Sequence, residues 1–179
     1  DGATVNTQVD GAERGQIVKL VDVQNVQNNH FLVVNQYQIK EDQDKRIPDV
    51  VLFVNGIPVV VMELKNPSNE NTGIDEAYNQ IQTYKQDIPS LFHYNAVVVV
   101  SDGFDARAGS LTAGISRMSA WKSKDGKNRA HSQELLLDVM LEGMLNPATL
   151  LDLIQSFTIF EKEQSIDKKT GITTINTIK

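Results

Sequence analysis

Two acidic residues and a lysine lie at the two ends of one apolar stretch, where a hydrophobic core has no use for them. These residues are Asp49, Glu63 and Lys65. Thirteen residues separate the two acids, and Asn55-Gly56, a strong hairpin-turn signal, lies in the middle of that gap. The flanking residues are rich in Val, Ile, Leu and Phe, as in buried strands. Folding at the turn therefore brings Asp49 back alongside Glu63.

This set of side chains suits phosphodiester hydrolysis assisted by a divalent cation. Two converging carboxylates can hold a hard ion such as Mg²⁺ or Mn²⁺, and Mg²⁺ keeps several waters and accepts a phosphate oxygen. The ion lowers the pKa of a bound water and offsets charge that builds up on the phosphate. A lysine beside it can orient or deprotonate the attacking water, or stabilise the transition state. We therefore expect Asp49 and Glu63 to be metal ligands and Lys65 to be catalytic.

The hypothesis depends on the hairpin register. Glu63 and Lys65 are two residues apart on a strand and share a face. Asp49 joins them only if it lies opposite a residue of like parity, such as Glu63, which would bring the Cβ atoms to roughly 4.5–5.5 Å. A plain two-residue Asn-Gly loop would pair Asp49 with Met62 and put the acids on opposite faces. The site therefore requires a loop of odd length or a β-bulge.

A simpler interpretation is a surface hairpin whose ends carry solvated charges. Glu63 and Lys65 would then form only a weak surface ion pair. An acid followed two residues later by a lysine also occurs at residues 125–127 and 167–169, in polar surroundings typical of exposed turns. Only the Glu63-Leu64-Lys65 triplet ends a long apolar run, but spacing alone leaves both interpretations open.

A wider likeness favours the first interpretation. Pro48-Asp49 followed by Glu63-Leu64-Lys65 resembles the PD-(D/E)xK nuclease signature. Four longer segments are residues 29–36 (NHFLVVNQ), 46–66 (RIPDVVLFVNGIPVVVMELKN), 77–85 (AYNQIQTYK) and 89–103 (PSLFHYNAVVVVSDG). Together they look like the N-terminal nuclease region of the motor (R) subunit of type I restriction enzymes, and the similarity runs from about residue 15 to about residue 179.

The resemblance implies roles for individual residues. Asp49 and Glu63 match the metal-binding acids of these subunits, and Lys65 matches their catalytic lysine. Gln80 and Tyr84 match a Gln-x-x-x-Tyr motif, shared with RecB-type nucleases, that would orient the site or contact DNA. Spacing alone instead favours a core tyrosine, because residue 84 lies in the apolar stripe of a helix.

Many RecB-type nucleases use a further acid from an upstream helix. Neither Asp10 nor Glu13 can be assigned that role from the sequence. The chain begins close to its first strands, and we expect an N-terminally truncated endonuclease domain at residues 1–160. Residues 161–179 would then form a linker to, or the start of, a helicase motor region.

The order of elements indicates an α/β fold, and the resemblance implies a PD-(D/E)xK restriction-endonuclease-like core: a mixed sheet flanked by helices. We expect strands at residues 16–26, 31–39 and 96–100, the hairpin at 49–65, and helices at 73–88, 133–145 and 148–157. Residues 107–121 would form edge strands or an extended loop, and residues 172–178 a marginal strand. Arg107, Arg117 and Lys122 could contact DNA there, but a scattered solvated surface is the simpler interpretation.

Composition permits this interpretation. The 179 residues, 40% of them hydrophobic, can bury one sizeable core. The absence of cysteine suits a cytoplasmic protein. The sequence contains no apolar run of about 20 residues, the length that would indicate a membrane-spanning segment. The net charge of −6 disfavours a domain that grips DNA alone, because phosphate contacts need Lys and Arg. The resemblance implies that helicase domains and the modification and specificity subunits hold the DNA.

These observations predict a metal-dependent endonuclease module of a type I restriction motor subunit, acting on double-stranded DNA. The chain has no Gly-x-x-x-x-Gly-Lys-(Ser/Thr) loop, so any ATP dependence would belong to a helicase part outside it. Two alternatives stay open. One is a RecB-like nuclease that processes DNA ends. The other is a non-catalytic module that docks DNA or another subunit, which a plain two-residue hairpin would favour.

Overall fold

A computed structural model describes residues 2–66, 73–159, 161–166 and 173–178. In chain order, its strands are β1 (Ala3–Val9), β2 (Ala12–Val18), β3 (Phe31–Asn35), β4 (Ile39–Glu41), β5 (Asp44–Arg46), β6 (Val50–Val54), β7 (Ile57–Leu64), β8 (Val97–Ser101), β9 (Ala106–Ser110), β10 (Glu161–Ile166) and β11 (Thr173–Ile178). The helices are α1 (Ile74–Asp87), α2 (Leu136–Val139), which continues as a π-helix (Met140–Met144), and α3 (Pro147–Ser156).

A mixed five-stranded sheet in the order β3-β6-β7-β8-β9 forms the centre of the fold. β7 and β8 are parallel, and the other neighbours in this sheet are antiparallel. Parallel neighbours need a crossover connection, and α1 lies in the connection between β7 and β8. The predicted mixed α/β sheet is thus confirmed.

Helices cover both faces of this sheet. α1 packs on one face with Val51, Val61, Val98 and Val100. On the other face, the π-helix and α3 pack against a second cluster that includes Val60, Met62, Val97 and Val99. β8 is therefore buried on both faces, which explains its unbroken run of valines.

Helix α1 agrees with the helix that the sequence pattern predicted. Its buried residues recur at helical spacing: Ile74, Ala77, Ile81 and Tyr84. Two acids lie in the first turn, where the helix dipole favours negative charge. Pro89 comes two residues after the last helical residue and begins a short 3₁₀ helix. The helix predicted at residues 73–88 is confirmed to within one residue at each end.

The predicted strand at residues 16–26 is wrong. β2 ends at Val18, and the following segment bends around Asp22, whose carboxylate accepts the backbone N–H groups of Gln24 (3.2 Å) and Asn25 (3.0 Å). Such local side-chain bonds compete with a strand ladder. Val21 and Val23 are apolar because they pack against the sheet core, without strand pairing.

The predicted strand at residues 31–39 is also interrupted. β3 ends at Asn35, and Gln36 adopts a left-handed conformation with φ 51°. The charged connection that follows forms a small hairpin from β4 and β5. β1 and β2 form another hairpin, with positive φ at Asp10 and Gly11. Its turn is Asp10-Gly11, a residue pair that favours two-residue hairpin turns.

The remaining predicted strands and helices agree with the structure, although their first and last residues differ. β9 is an edge strand that begins one residue before the predicted range 107–121, and the helix predicted at 133–145 begins later, at α2. α3 matches the helix predicted at 148–157, and β11 lies in the predicted marginal strand and pairs with β10. Within the described part of the chain, no helix combines the length and apolarity that crossing a membrane demands. The domain boundary at residue 160 stays a prediction.

Candidate active site

The hairpin of β6 and β7 contains the β-bulge that the site requires. Asn55 and Gly56 form its two-residue loop, both with positive φ (51° and 81°), as a type I′ turn demands. Pairing starts as Val54–Ile57 and Phe53–Pro58 and then shifts, so that Leu52 pairs with Val60 and Val50 with Met62. Val59 is the extra residue. Continuing this register by one residue sets Asp49 opposite Glu63.

The bulge also explains which face carries the acids. Val59 and Val60 are consecutive, yet both pack into the cluster beneath the π-helix and α3. Beyond the bulge, Val51 and Val61 lie opposite each other in the cluster beneath α1. Asp49 and Glu63 are two residues further along their strands, so both lie on the α1 face.

Asp49 is half-buried and held on both of its oxygens. Its Oδ2 accepts the backbone N–H of Leu64 at 2.9 Å, which ties it to the end of the opposing strand. Its Oδ1 accepts Nε2 of Gln36 at 2.8 Å. The backbone N–H of Gln36 in turn donates to the carbonyl of Asp49 at 2.8 Å. A carboxylate oxygen can accept more than one bond, so both oxygens keep capacity for a cation.

Glu63 is 4% exposed and accepts one charged and one neutral donor. Nζ of Lys65 lies 2.8 Å from its Oε1, and the hydroxyl of Tyr84 donates to its Oε2 at 3.1 Å. The same hydroxyl lies 3.4 Å from the carbonyl oxygen of Ile47. The structure thus brings Lys65 and Tyr84 onto one buried carboxylate.

Burial sets the electrostatics of this cluster. It raises the pKa of Glu63 above its ordinary value, and the nearby charge of Asp49 raises this pKa further, whereas Lys65 and Tyr84 lower it. Burial and the charge of Glu63 likewise raise the pKa of Tyr84, so its hydroxyl stays protonated and can donate. A hydrogen bond from the Gln80 side chain acts on the same hydroxyl.

Three of the five predicted site residues thus lie in one hydrogen-bonded chain, Lys65, Glu63 and Tyr84, and Gln80 acts on the Tyr84 hydroxyl. Asp49 lies opposite Glu63 and influences its pKa. Tyr84 is also a core residue, as its place in the apolar stripe indicated. Its ring packs in the core and its hydroxyl donates to Glu63 in the candidate site. The interpretation as a core residue therefore describes the ring, and the interpretation as a site residue describes the hydroxyl.

Sequence spacing missed Gln36, which bonds to Asp49 from the left-handed position after β3. The only signal was its place at the end of the segment 29–36. Asp10 and Glu13 lie on or beside the separate β1–β2 hairpin, and Glu13 pairs there with Gln8. The structure therefore gives no support for either as a further acidic ligand.

The donor set suits a hard divalent cation with an incomplete protein shell. Among the residues that the structure describes, no cluster of three or more His, Cys, Asp or Glu side chains could hold a metal ion. Asp49 and Glu63 offer two carboxylates, which is the number that Mg²⁺ commonly takes when waters and a substrate phosphate fill its other positions. A cation there would offset the repulsion between the two charges.

Comparison with known proteins agrees with the likeness in the sequence. The profile of the family described as type I restriction enzyme R protein N terminus (HSDR_N) matches residues 1–117. The type I restriction enzyme HindI endonuclease subunit of Haemophilus influenzae is 43% identical over 168 residues, covering 91% of this chain and 16% of that protein.

More distant relatives have similar descriptions. The putative type I restriction enzyme MjaIXP endonuclease subunit of Methanocaldococcus jannaschii is 30% identical, covering 93% of this chain and 18% of its own length. The SsaAORF53P endonuclease subunit of Staphylococcus saprophyticus is 30% identical, covering 83% of this chain and 16% of its own length. The chain therefore spans less than a fifth of these relatives, and it belongs to the family of type I restriction enzyme R protein N termini.

Proposed function

We propose that this chain is the metal-dependent DNA endonuclease module of a type I restriction R subunit, with a site of the PD-(D/E)xK class. It would hydrolyse phosphodiester bonds of double-stranded DNA within a complex that includes modification and specificity subunits. The observation that carries this proposal is the bulge at Val59. It sets Asp49 opposite Glu63 on one face, where Lys65 already contacts Glu63.

Under this proposal, Asp49 and Glu63 hold Mg²⁺ or Mn²⁺ together with water and a phosphate oxygen of the substrate. When bound, the ion supplies a water of lowered pKa and positive charge beside the phosphate. Gln36 and the Leu64 N–H fix the Asp49 carboxylate in rotation, so this ligand is oriented before the ion binds.

Lys65 supplies the positive charge of the site. Its ammonium lies against Glu63, and the side chain is 18% exposed, so it can reach a phosphate oxygen beside the carboxylate. There it orients the attacking water or donates to the charge that develops on the phosphate. Tyr84 holds the second oxygen of Glu63, and Gln80 holds the hydroxyl of Tyr84. We assign Gln80 and Tyr84 as positioning residues.

Neither alternative gains support from the hairpin or the relatives. A docking module would be favoured by a plain two-residue hairpin that separates the carboxylates, and the bulge brings them together. A RecB-like nuclease that processes DNA ends would use the same chemistry, but the relatives are described as restriction endonuclease subunits. ATP dependence, under this proposal, belongs to a helicase part outside these residues.

A matched pair of variants tests the proposal. Glu63→Gln removes the buried charge but keeps the shape of the side chain, so DNA cleavage by the assembled enzyme should fall at least about 100-fold. Glu76→Gln makes the same change at an exposed position in the first turn of α1 and should leave cleavage unchanged. Plasmid linearisation in Mg²⁺ gives the rates, and equal cleavage by the two variants would contradict the proposal.

A further inference from the structure

An exposed aromatic residue lies at the same end of the sheet as the candidate site. β7 and β8 run parallel, and Leu64 pairs with Ser101 at their carboxyl ends. The backbone N–H of Lys65 donates to the carbonyl of Ser101 at 2.8 Å. Three residues after Ser101, in the turn that leads to β9, Phe104 is 69% exposed. The turn therefore starts beside the candidate catalytic lysine.

This turn holds Phe104 in a fixed position. The carboxylate of Asp102 accepts the backbone N–H groups of Phe104 (3.1 Å) and Asp105 (2.8 Å). The hydroxyl of Ser101 donates to the carbonyl of Asp105 at 2.8 Å and accepts the N–H of Gly103 at 3.0 Å. The side chain of Phe104 therefore contributes little to the core, and the ordered turn presents it to solvent.

Phe104 forms one wall of a cleft of about 720 Å³ whose other walls carry cations. We define the basic cleft by Phe104, Lys122, Arg129, His131 and Glu134. Among the described residues, neither Lys122 nor Arg129 forms an ion pair, and both side chains are exposed. The cleft thus presents two uncompensated cations in a chain with a net charge of −6.

The acid in this cleft already has a cationic partner. Glu134 lies 2.9 Å from Nζ of Lys124 and accepts the backbone N–H of His131 at 2.9 Å. Lys124 also pairs with Glu142 at 2.9 Å. Lys124, Glu134 and Glu142 together keep one negative charge, so with Lys122 and Arg129 these five groups carry one net positive charge.

The segment that carries these cations is ordered by its own hydrogen bonds. The N–H of Ala130 donates to the carbonyl of Lys122 at 2.9 Å and closes the loop between them. Inside it, the carboxylate of Asp125 accepts the N–H groups of Lys127 (2.9 Å) and Asn128 (2.8 Å). The backbone of this loop is therefore ordered, and Lys122 and Arg129 lie at its two ends, beside the cleft.

We propose that the basic cleft binds a DNA strand near the carboxyl ends of β7 and β8, with Lys122 and Arg129 on backbone phosphates and Phe104 against an unstacked base. This inference rests on the proposed function and identifies the surface that would present the substrate. Cations without partners are what phosphate binding requires. An aromatic ring offers a stacking surface to any unstacked base. Arg107 belongs less to this surface, because it pairs with Asp105 at 2.8 Å.

The test measures binding without cleavage, so that its failure is separate from failure of the nuclease proposal. The 179-residue chain is titrated in EDTA against fluorescent duplex and single-stranded oligonucleotides at several salt concentrations. The test variant is Lys122→Gln with Arg129→Gln. The control is Arg14→Gln with Lys19→Gln, which removes the same two charge types from exposed positions on and after β2. Thermal unfolding checks that both variants fold.

The proposal predicts weaker binding of both DNA forms by the test variant alone. The slope of log affinity against log salt concentration should fall by about two, roughly one for each lost phosphate contact. Phe104→Ala should leave this slope unchanged and weaken single-stranded binding about tenfold, since stacking needs an unstacked base. Equal affinities and slopes in the test and control variants would overturn the proposal. So would a wild-type chain that binds neither DNA form.

Discussion

Burial, neighbouring charges and hydrogen bonds all act on the carboxylate of Glu63. Its carboxylate is almost fully buried, and its neighbours include one cation, one hydroxyl and a second carboxylate. Burial is the largest influence on its pKa and raises it, although Lys65 and Tyr84 oppose that change. The folded state therefore takes up a proton at Glu63 more readily than the unfolded chain does.

This raised pKa makes stability depend on pH in a definite direction. As pH falls through the folded-state pKa of Glu63, the folded state binds a proton that the unfolded state does not, so the free energy of unfolding rises. The gain is complete below the ordinary glutamate pKa of 4.5. We expect the wild-type chain to gain stability relative to Glu63→Gln between pH 8 and pH 4.5. Urea midpoints in EDTA measure it, and a relative loss would mean that Lys65 and Tyr84 outweigh burial.

Tyr84 and Gln80 should affect cleavage beyond their effect on folding. Tyr84→Phe keeps the buried ring and removes a donor to a charged acceptor, so unfolding should become easier by about 1.5–3 kcal/mol at neutral pH. Gln80→Ala, on the half-buried edge of α1, should change stability by about 1 kcal/mol or less. Both should slow cleavage by the assembled enzyme at temperatures where they stay folded. Normal cleavage rates in both variants would remove the pair from the site.

For single residues, the sequence indicated Asp49, Glu63 and Lys65 as candidate site residues because their charges lie at the ends of an apolar run. It left Tyr84 between two interpretations, because an apolar stripe shows that a ring is buried and says nothing of where its hydroxyl points. Gln36 could not be found from spacing. Its contact with Asp49 depends on a left-handed backbone conformation, and glutamine is not a residue that signals one.

The hairpin is the element that decides the geometry of the site. Its turn could be predicted, because Asn-Gly is the strongest short hairpin signal. The bulge could be predicted only as a requirement of the site, since nothing in the run of valines marks Val59 as the extra residue. The strand expected at residues 16–26 failed for a related reason: apolar residues that pack against a sheet look the same in sequence as strand residues.

The type I′ turn gives a stability prediction with a matched control. Gly56→Ala places a Cβ at φ 81°, where an L-residue is strained, and should destabilise the fold by about 1–2 kcal/mol. A Cβ there meets nothing within 4 Å, so backbone strain is the only cause. Gly114 has equal space and an ordinary φ of −68°. Gly114→Ala should therefore be neutral or slightly stabilising. Equal urea midpoints for the two variants would contradict the turn assignment.

For the whole molecule, a cation between the two acids should stabilise the folded state. With a dissociation constant of about 1 mM, 10 mM Mg²⁺ would add about 1.4 kcal/mol by mass action. For a chain of this size, that corresponds to a rise in Tm of roughly 3–5 °C. The rise should be absent in Glu63→Gln and in NaCl of equal ionic strength. An equal rise in the variant would place the ion elsewhere, and no rise in the wild type would mean that DNA must complete the ligand set.

For the whole molecule, the fold class could be predicted because one strongly periodic helix lies between the buried hairpin and a further buried strand. The small hairpins β1–β2, β4–β5 and β10–β11 were less visible, because short polar strands carry little hydrophobic pattern. Of the basic cleft, the sequence suggested only Lys122 as a possible DNA contact. The cleft joins Phe104 to a loop about 20 residues further along the chain, and only the tertiary fold brings those segments together.

The central proposal is that Asp49, Glu63 and Lys65 serve phosphate chemistry and not ATP hydrolysis. Its most direct test measures DNA cleavage and DNA-dependent ATP hydrolysis side by side for the assembled enzyme that carries this chain, with Asp49→Ala, Glu63→Ala and Lys65→Ala each in turn. We predict that each substitution abolishes cleavage and leaves ATP hydrolysis largely intact. Cleavage near the wild-type rate in any of the three variants would contradict the role given to that residue.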